Sequence, residues 1–358
     1  MGKILQIAFY FVAFLLSITF LQANEISLPE PVSNNAVAIA EVEGQSVLFS
    51  FNGLSKGKSY KDIHAKAFSV NLQTKKSKTI ASLPDGSGRL ASIAMTLSNR
   101  VFVIGGYTVA EDHSEVSTPQ IYEYFPLENK YQLTTEMPVP VDDTVALVYQ
   151  DRYIYLVSGW HDSGNVNLVQ VYDSQDNRWF NATPFPGAPV FGHAGGIVSN
   201  QFLIADGVKV KRVVEGKREY GASEENWLGE ISAKDPSVIV WKKIQKHPFK
   251  PLYRMASTGL ENSRQIIFAG GGDNPYNYNG IGYDGVPSQA SSKVFSYDLV
   301  QSKWIIRNNL TSASMDHRGM LVGENRLYIV GGMGDKQTVL KTIQSIPFPN
   351  SVFSKENK

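Results

Sequence analysis

The stretch VFVIGG at residues 101–106 decides the fold, because segments like it recur along the whole chain. Each is a short apolar run that ends in small residues: VLFSFNG at 47–53, IYLVSG at 154–159, FLIADG at 202–207, IIFAGG at 266–271 and LYIVGG at 327–332. Their final glycines lie 48 to 64 residues apart. Six copies at such a period indicate six repeated supersecondary units.

Each unit has the pattern of four short antiparallel strands. An apolar strand precedes the repeated segment, and two strands follow it, of which the last opens with an aromatic residue: Tyr131, Trp179, Trp241 or Trp304. Such a sheet has two apolar faces, and it buries both only when sheets pack radially against one another. The sequence therefore predicts an all-β, six-bladed propeller with four antiparallel strands per blade.

The glycine doublets resemble the kelch motif, in which a Tyr follows the doublet and a Trp follows the Tyr. Here the Tyr stands 18–26 residues after the doublet and the Trp 7 residues after that. The resemblance covers residues 24–346 and implies a kelch-type propeller. The sixth unit lacks its own fourth strand, so we expect residues 25–28 to supply it, to close the ring and to cover a sheet edge.

The N-terminus has the features of an export signal. Lys3 precedes a mostly apolar run at residues 4–21, and Ala23 is suited to cleavage. The predicted division is a signal peptide at 1–23, a propeller at 24–350 and a polar tail at 351–358. A periplasmic or secreted protein, free of the membrane after cleavage, is expected. An uncleaved N-terminal anchor stays open, because the run approaches the ~20 residues that span a bilayer.

Composition excludes several kinds of function. Lys plus Arg number 34 and Asp plus Glu 33, so no net basic field exists to attract nucleic acid. Cysteine is absent, which removes thiolate chemistry and the crosslinked tyrosine of the kelch enzyme copper galactose oxidase. We expect no cofactor and no metal; a site built from His161, His193 and His317 is the remaining metal alternative.

Polar residues precede the first strand of most units, in the link that leads from one unit to the next. In a four-stranded blade these links open on the same face as the loops after the second strands, around the central channel. The candidates for ligand contact there include His193, His317 and Arg254, which are also the candidates for catalysis, and further Arg89, Asp142, Asp143, Asp316 and Arg318. The alternative is a structural one, in which these charges pair with one another and plug the channel.

The loops after the second strands add a second set of candidates. Trp160 and His161 follow the third doublet, and the long loop at 272–285 in the fifth unit is rich in Tyr and Asn. Long loops in compact domains are commonly functional. Its tyrosines could stack on a sugar and its polar groups could contact hydroxyls: Tyr276, Tyr278, Tyr283, Asn274 and Asp284. The alternative is a loop that packs on itself.

The chain is also similar to the exported sialic acid mutarotases, which are six-bladed kelch propellers with a Leu-Pro-Glu-like run near the mature start, as at residues 28–30 here. In that family a glutamate stands where this chain has Val208, and Glu215, Glu219 or His193 are the possible replacements. We expect a propeller that binds a small polar ligand, above all a carbohydrate. The alternatives are a mutarotase acting on an acidic sugar and a protein-interaction scaffold.

Overall fold

Residues 26–348 are described by a computed structural model, and they are almost entirely β-structure. The predicted signal peptide at 1–23 and tail at 351–358 lie outside the described residues. Within 26–348 the helical elements are two single 3-10 turns, Tyr60–Asp62 and Asp335–Gln337. No helix in this part of the chain has the length and hydropathy needed to cross a membrane.

The first three blades are four-stranded antiparallel sheets whose strands pair in the sequence order first, second, third, fourth. Blade one is β1 (Ala36–Val42), β2 (Gln45–Phe51), β3 (Ala67–Asn71) and β4 (Ser77–Ile80). Blade two is β5 (Ile93–Leu97), β6 (Arg100–Ile104), β9 (Gln120–Phe125) and β10 (Lys130–Glu136), with a loop hairpin of β7 (Tyr107–Val109) and β8 (Glu115–Ser117). Blade three is β11 (Val145–Tyr149), β12 (Tyr153–Val157), β15 (Val169–Asp173) and β16 (Arg178–Asn181), with the hairpin β13 (Trp160–His161) and β14 (Gly164–Asn165).

The other three blades repeat this order. Blade four is β17 (Ala194–Val198), β18 (Gln201–Ala205), β21 (Asn226–Ile231) and β22 (Ile239–Ile244), with the hairpin β19 (Val208–Val214) and β20 (Lys217–Ala222). Blade five is β23 (Ala256–Leu260), β24 (Gln265–Ala269), β25 (Val294–Asp298) and β26 (Lys303–Ile306). Blade six has three strands of its own: β27 (Leu321–Val322), β28 (Arg326–Val330) and β29 (Ile343–Pro347).

Hydrophobic packing joins the blades into a closed circle. Six of the hydrophobic clusters each span one pair of neighbouring blades. The cluster with Tyr155 and Phe202 joins blades three and four, and the cluster with Leu48 and Tyr328 joins blades one and six. Because both faces of every sheet are covered in this way, the predicted radial architecture is confirmed, including the count of six.

The N-terminal segment closes the ring, as the sequence predicts. Ser27 forms an antiparallel bridge with Thr342, and the Leu28 amide donates to the Lys341 carbonyl at 2.8 Å. Leu28 is buried between the first and last blades. This short pairing gives blade six an outer edge strand from the opposite end of the chain. Glu25 of the predicted segment lies outside the described residues.

The loops after the second strands all rise on one face, which we call the loop-bearing face. Blades two, three and four each raise a two-stranded hairpin there, whereas blade five contributes the long irregular loop at residues 270–293. Under these loops lies a seventh hydrophobic cluster, which includes Tyr107, Phe191 and Tyr253. The fold thus places the segments that differ most from blade to blade around one end of the channel.

Candidate ligand pocket at the loop-bearing face

A ring of six residues encircles the channel just before the innermost strands. Each has a left-handed backbone, although only one is glycine: Asn34, Ala91, Asp143, Gly192, Arg254 and Asp316. Hydrogen bonds join them from blade to blade and close the circle, for example from the Gly192 amide to the Asp143 carbonyl at 2.8 Å. In blade one the Asn34 side chain accepts from the Ala91 amide at 2.6 Å. We call this ring the collar.

Two arginines and two aspartates fill the centre of the collar. Arg254 bonds Asp143 at 2.5 Å and Asp316 at 3.1 Å, and Arg318 bonds Asp143 at 2.8 Å. All four side chains are buried. Burial alone would raise the pKa of Asp143, but Arg254 and Arg318 hold it below its usual value. We call these four residues the plug, because they pair with one another across the channel.

The channel continues below the plug, and the two candidate catalytic histidines line it there. His193 Nε2 lies 2.8 Å from the Val157 carbonyl oxygen, and His317 Nε2 lies 3.0 Å from Ser314 Oγ. Burial lowers the pKa of His193 to about 4 and that of His317 to about 3. Both imidazoles are therefore neutral at physiological pH and engaged with the blades.

Arg89 does not face the channel mouth, contrary to the sequence-based expectation. Its guanidinium lies buried within blade two, where it pairs with Asp85 and donates to the Gly105 carbonyl and to Gln120, both at 3.1 Å. Arg89 precedes the left-handed residue of its link by two positions, and from there the side chain points outward rather than into the channel.

The blade-five loop packs largely on itself, which was the alternative left open by the sequence. Tyr276 is 0% exposed and contacts the Tyr253 ring, with 5.2 Å between centroids. Tyr278 is also buried. Asn274 donates to Asp284 Oδ1 at 2.8 Å, so these two polar groups satisfy each other.

A small pocket opens above the plug on the loop-bearing face, and we call it the mouth pocket. Five aromatic side chains form its walls, and polar or charged groups converge from four elements. Its lining is Tyr107, Trp160, Phe191, Tyr220 and Tyr283 together with Glu115, Asp142, Asp143, Arg254 and Asn277. The structure thus brings Trp160, Tyr283, Asp143 and Arg254 of the predicted set together, whereas His193, His317 and Arg318 lie on the channel side of the plug.

Six paired positions form the floor beneath the loops. In every blade the residue before the left-handed collar position bridges the residue that follows the doublet: Ser33–Leu54, Leu90–Tyr107, Asp142–Trp160, Phe191–Val208, Tyr253–Gly272 and Met315–Met333. Only blade three carries a carboxyl group in this pair. A buried carboxyl group costs stability where an apolar residue would serve, so Asp142 is the exception that points to a function.

Two carboxyl groups of the pocket have few partners. Asp142 accepts a hydrogen bond from the Ser117 hydroxyl at 2.6 Å, and Glu115 accepts one from Asn277 Nδ2 at 2.6 Å. Burial raises the pKa of Asp142 well above its usual value, and loss of solvation also raises the pKa of Glu115, although Glu115 remains accessible from the mouth. Each group can therefore hold a proton under conditions where ordinary carboxyl groups are ionised.

Three other candidates from the sequence, one histidine and two glutamates, lie away from the mouth pocket. His161 Nδ1 lies 2.7 Å from the Pro140 carbonyl oxygen. Glu215 lies at the exposed turn of the blade-four hairpin, and Glu219 pairs with Arg212 on its surface. Val208 is fully buried against Phe191. Among residues 26–348 no three carboxylate or imidazole groups come together in a metal-binding arrangement.

Sequence reasoning missed Tyr107, Glu115 and Phe191. Tyr107 follows its doublet as Trp160 follows its own, so position within the repeat is a signal that could have found it. Phe191 likewise occupies the repeat position of Asp142. Glu115 lies on the second strand of the blade-two hairpin, and the hairpins of blades three and four differ from it in length and sequence, so no sequence signal marks it.

The fold and the repeat geometry define a six-bladed β-propeller with kelch-type blades, and the chain is such a protein. It is distantly similar to two kinds of curated protein. N-acetylneuraminate epimerase of Salmonella typhimurium is 21% identical over 318 residues, which cover 77% of this chain and 75% of that protein. Kelch-like protein 15 of Homo sapiens is 20% identical over 239 residues, which cover 66% of this chain but 37% of that protein.

The solved structure titled "Structure of YjhT" has the same fold. It superposes with a TM-score of 0.70 at 14% sequence identity and covers 93% of this chain and 97% of its own. No family model matches the sequence. The chain spans only 22% of the length of Kelch-like protein 15 of Gallus gallus, with 26% identity over 112 residues.

Proposed function

We propose that this protein binds a small carbohydrate in the mouth pocket. The observation that carries the proposal is the combination, in one pocket, of an aromatic wall with the carboxyl groups of Asp142 and Glu115. Ligand sites commonly combine apolar walls with a few convergent polar groups that fix orientation. A sugar presents an apolar C–H face and a rim of hydroxyl groups, so it matches both features.

The aromatic wall supplies the apolar contact. Tyr283 stacks on Tyr220 with 4.1 Å between ring centroids, and its side chain is 43% exposed. Trp160 lies 6.1 Å from Tyr220 and 5.5 Å from Phe191. Rings of this kind bury large areas and hold their orientation when they pack on one another. Tyr283, the most exposed of these rings, is the one beside which we place the C–H face of a pyranose.

The channel below the plug is the larger cavity, at about 250 Å³ against about 80 Å³ for the mouth pocket. Its walls are the inner strands, which contribute mainly aliphatic and small residues such as Ile39, Met95 and Gly196. Its charged and imidazole groups lie at the plug end, where Arg318 pairs with Asp143 and each histidine makes one hydrogen bond. Size favours the channel, but the chemistry of the lining favours the mouth pocket.

A sugar mutarotase is the second candidate function. It is supported by the distant similarity to N-acetylneuraminate epimerase and by two carboxyl groups at one pocket. Mutarotation needs a base for the anomeric hydroxyl and an acid for the ring oxygen. Asp142 and Glu115 fit these roles better than His193 and His317, which lie below the plug. The assignment of the histidines and Arg254 to catalysis stays a prediction.

Two further proposals concern the location of the protein and a protein partner. The apolar run at residues 4–21 and the similarity to N-acetylneuraminate epimerase support a periplasmic or secreted protein, with an N-terminal anchor as the alternative. A protein partner is the third candidate, supported by the similarity to Kelch-like protein 15. Such a partner would contact the rim of the loop-bearing face rather than fill the mouth pocket.

The test is a thermal-shift screen of the mature protein against a panel of monosaccharides and small glycans, followed by calorimetry on the hits. We expect at least one sugar to bind, and Asp142→Asn to weaken it by about tenfold while the fold is kept. Anomer exchange of each hit is then measured by NMR. A panel without any hit, or a hit that Asp142→Asn leaves unchanged, contradicts the proposal.

A further inference from the structure

The charge balance of the mouth pocket indicates which kind of sugar it takes; this inference rests on the proposed function. Four charged or titratable groups other than tyrosine line the pocket: Glu115, Asp142, Asp143 and Arg254. Asp143 and Arg254 pair with each other at 2.5 Å. The two remaining groups are both acids, so the lining has an excess of carboxyl groups over cations.

Arg254 has little capacity left for an anionic ligand. Its Nε and Nη2 donate to Asp143 Oδ2, and its Nη1 donates to Asp316 Oδ1 and to the Asn277 carbonyl at 2.6 Å. A guanidinium has five N–H groups, and these contacts occupy four of them. A ligand carboxylate could bind Arg254 through two N–H groups only if it displaced Asp143, Asp316 or the Asn277 carbonyl, and a displaced buried aspartate would lose its bonds to Arg254.

Two further arginines lie near the mouth pocket without lining it. Arg318 belongs to the plug and bonds Asp143 and Asn34. Arg218 lies at the rim, where its guanidinium covers the Trp160 ring at 5.3 Å and donates to the Ser163 carbonyl at 2.5 Å. Neither arginine lines the mouth pocket, and within residues 26–348 no lysine lines it.

Glu115 and Asp142 converge on the pocket with one hydrogen-bond donor each, from Asn277 and Ser117. A carboxylate can accept several more hydrogen bonds, so acceptor capacity is left over on both groups. A ligand ammonium has three donors and a positive charge, and it would satisfy this capacity with charge-assisted bonds.

We propose that the mouth pocket selects a sugar that bears a free amino group, a hexosamine, over the neutral sugar and rejects acidic sugars. An acidic sugar would bring a further carboxylate to a site where Glu115 and Asp142 already disfavour each other's ionised form, and like charges brought together without solvent are strongly unfavourable. The pocket is therefore electrostatically unsuited to N-acetylneuraminate, the acidic sugar after which the epimerase relatives are named.

The test compares three sugars that share one ring: D-glucosamine, D-glucose and D-glucuronate, with the three galactose counterparts as a second series. Calorimetry at pH 7 and low salt measures each affinity. We expect glucosamine, or galactosamine, to bind about tenfold more tightly than the neutral sugar and the acidic sugar at least tenfold more weakly. Raised salt should reduce both differences, because screening weakens the charge interaction.

The variants assign the preference to the two acids. In Glu115→Gln/Asp142→Asn the amino and neutral sugars should bind with equal affinity. The single variant Glu115→Gln, on an accessible hairpin strand, should lose part of the preference and leave the blades undisturbed; circular dichroism verifies the fold of both variants. Glu111→Gln removes an exposed carboxylate from the same hairpin region outside the pocket, and it should keep the full preference.

A second readout follows from the protonated state of the acids. An ammonium ligand favours the ionised carboxyl group, so its binding should release protons, seen as a binding enthalpy that depends on the ionisation enthalpy of the buffer. The neutral sugar should show a smaller dependence. Acidic sugars that bind best, or a preference that survives in the double variant, overturn the inference and leave the proposed function intact. If none of the six sugars nor any sugar of the panel binds, both fail.

Discussion

Asp142 and Asp143 are neighbours in the chain, and both are buried, yet their surroundings differ. Asp143 is held by the guanidiniums of Arg254 and Arg318, which keep its pKa below the usual value. Asp142 has the Ser117 hydroxyl, and burial raises its pKa well above the usual value. Paired buried charge is typical of a structural network, whereas a carboxyl group with spare capacity at an open pocket is typical of a functional site.

The largest effect is expected from breaking the plug. Arg254→Met leaves the two buried aspartates Asp143 and Asp316 with Arg318 as their single arginine partner, and this should lower the free energy of unfolding by about 3–5 kcal/mol. Denaturant unfolding at pH 7 measures it. Arg218→Met, at the exposed rim, is the matched control and should change stability by less than about 0.5 kcal/mol. Equal effects of the two substitutions would show that the plug is not structural.

The two ends of the blade-five loop provide the next comparison. Tyr276→Ala removes a fully buried ring and should cost about 3 kcal/mol of stability, as large-to-small changes in a core do. Tyr283→Ala removes an exposed ring and should leave the melting temperature nearly unchanged while it weakens a bound sugar several-fold. Thermal unfolding and calorimetry on both variants verify this. Loss of sugar binding in a Tyr276→Ala protein of unchanged stability would contradict this and would show that the ligand binds at the buried half of the loop.

Substitution of His193, one of the two histidines below the plug, should change the pH dependence of stability and leave sugar binding unchanged. Because the folded-state pKa of His193 is about 4, against about 6.5 when unfolded, the unfolded state binds more protons in that window. Stability is therefore full above pH 6.5 and falls as pH decreases towards 4. His193→Gln should remove its share of this acid loss, on the order of 3 kcal/mol.

Unfolding free energies between pH 4 and 7 measure that slope, and His113→Gln, on an exposed turn, is the control that should keep it. Sugar affinity of His193→Gln at pH 7 should stay within about twofold of the unchanged protein. A loss of sugar binding without a change in the acid slope would support a direct role of His193 in the ligand site.

The stability contribution of Asp142 should depend on pH in the opposite direction to that of His193. Its folded-state pKa lies above the unfolded value of about 4, so its contribution is present below pH 4 and is lost as pH rises towards the folded value. Asp142→Asn should therefore gain stability relative to the unchanged protein as pH rises from 4 to 7, as denaturant unfolding across that range measures. A relative stability that falls with pH would show that Asp142 is a stabilising ionised group.

The blade architecture was predictable because it depends on a repeated pattern of apolar strands and glycines, which averages over many residues. The detailed site was not predictable, because a shift of one or two positions along a link decides whether a side chain points into the channel or into a blade. Arg89 points into blade two, whereas Arg254, two positions later in its own repeat, enters the channel. For the same reason Asp142 bonds Ser117 at the mouth pocket, whereas Asp143, one position later, pairs with the plug arginines.

The loops limited prediction in a different way. A Tyr-rich segment looks the same in sequence whether its rings are buried, as Tyr276 is, or exposed, as Tyr283 is. That difference is set by packing against Tyr253, which lies in another part of the repeat. Glu115 enters the pocket through a hairpin between the second and third strands of blade two, and only the three-dimensional arrangement shows that it lies near Asn277.

The most direct test is a crystal structure of the mature protein with the sugar that binds best in the panel. The account predicts the sugar in the mouth pocket, with its C–H face beside Tyr283 and a polar group within hydrogen-bond distance of Asp142. The Arg254–Asp143 pair should remain intact beneath it. A sugar found in the channel beside His193 and His317, or a sugar carboxylate that displaces Asp143 from Arg254, would contradict it.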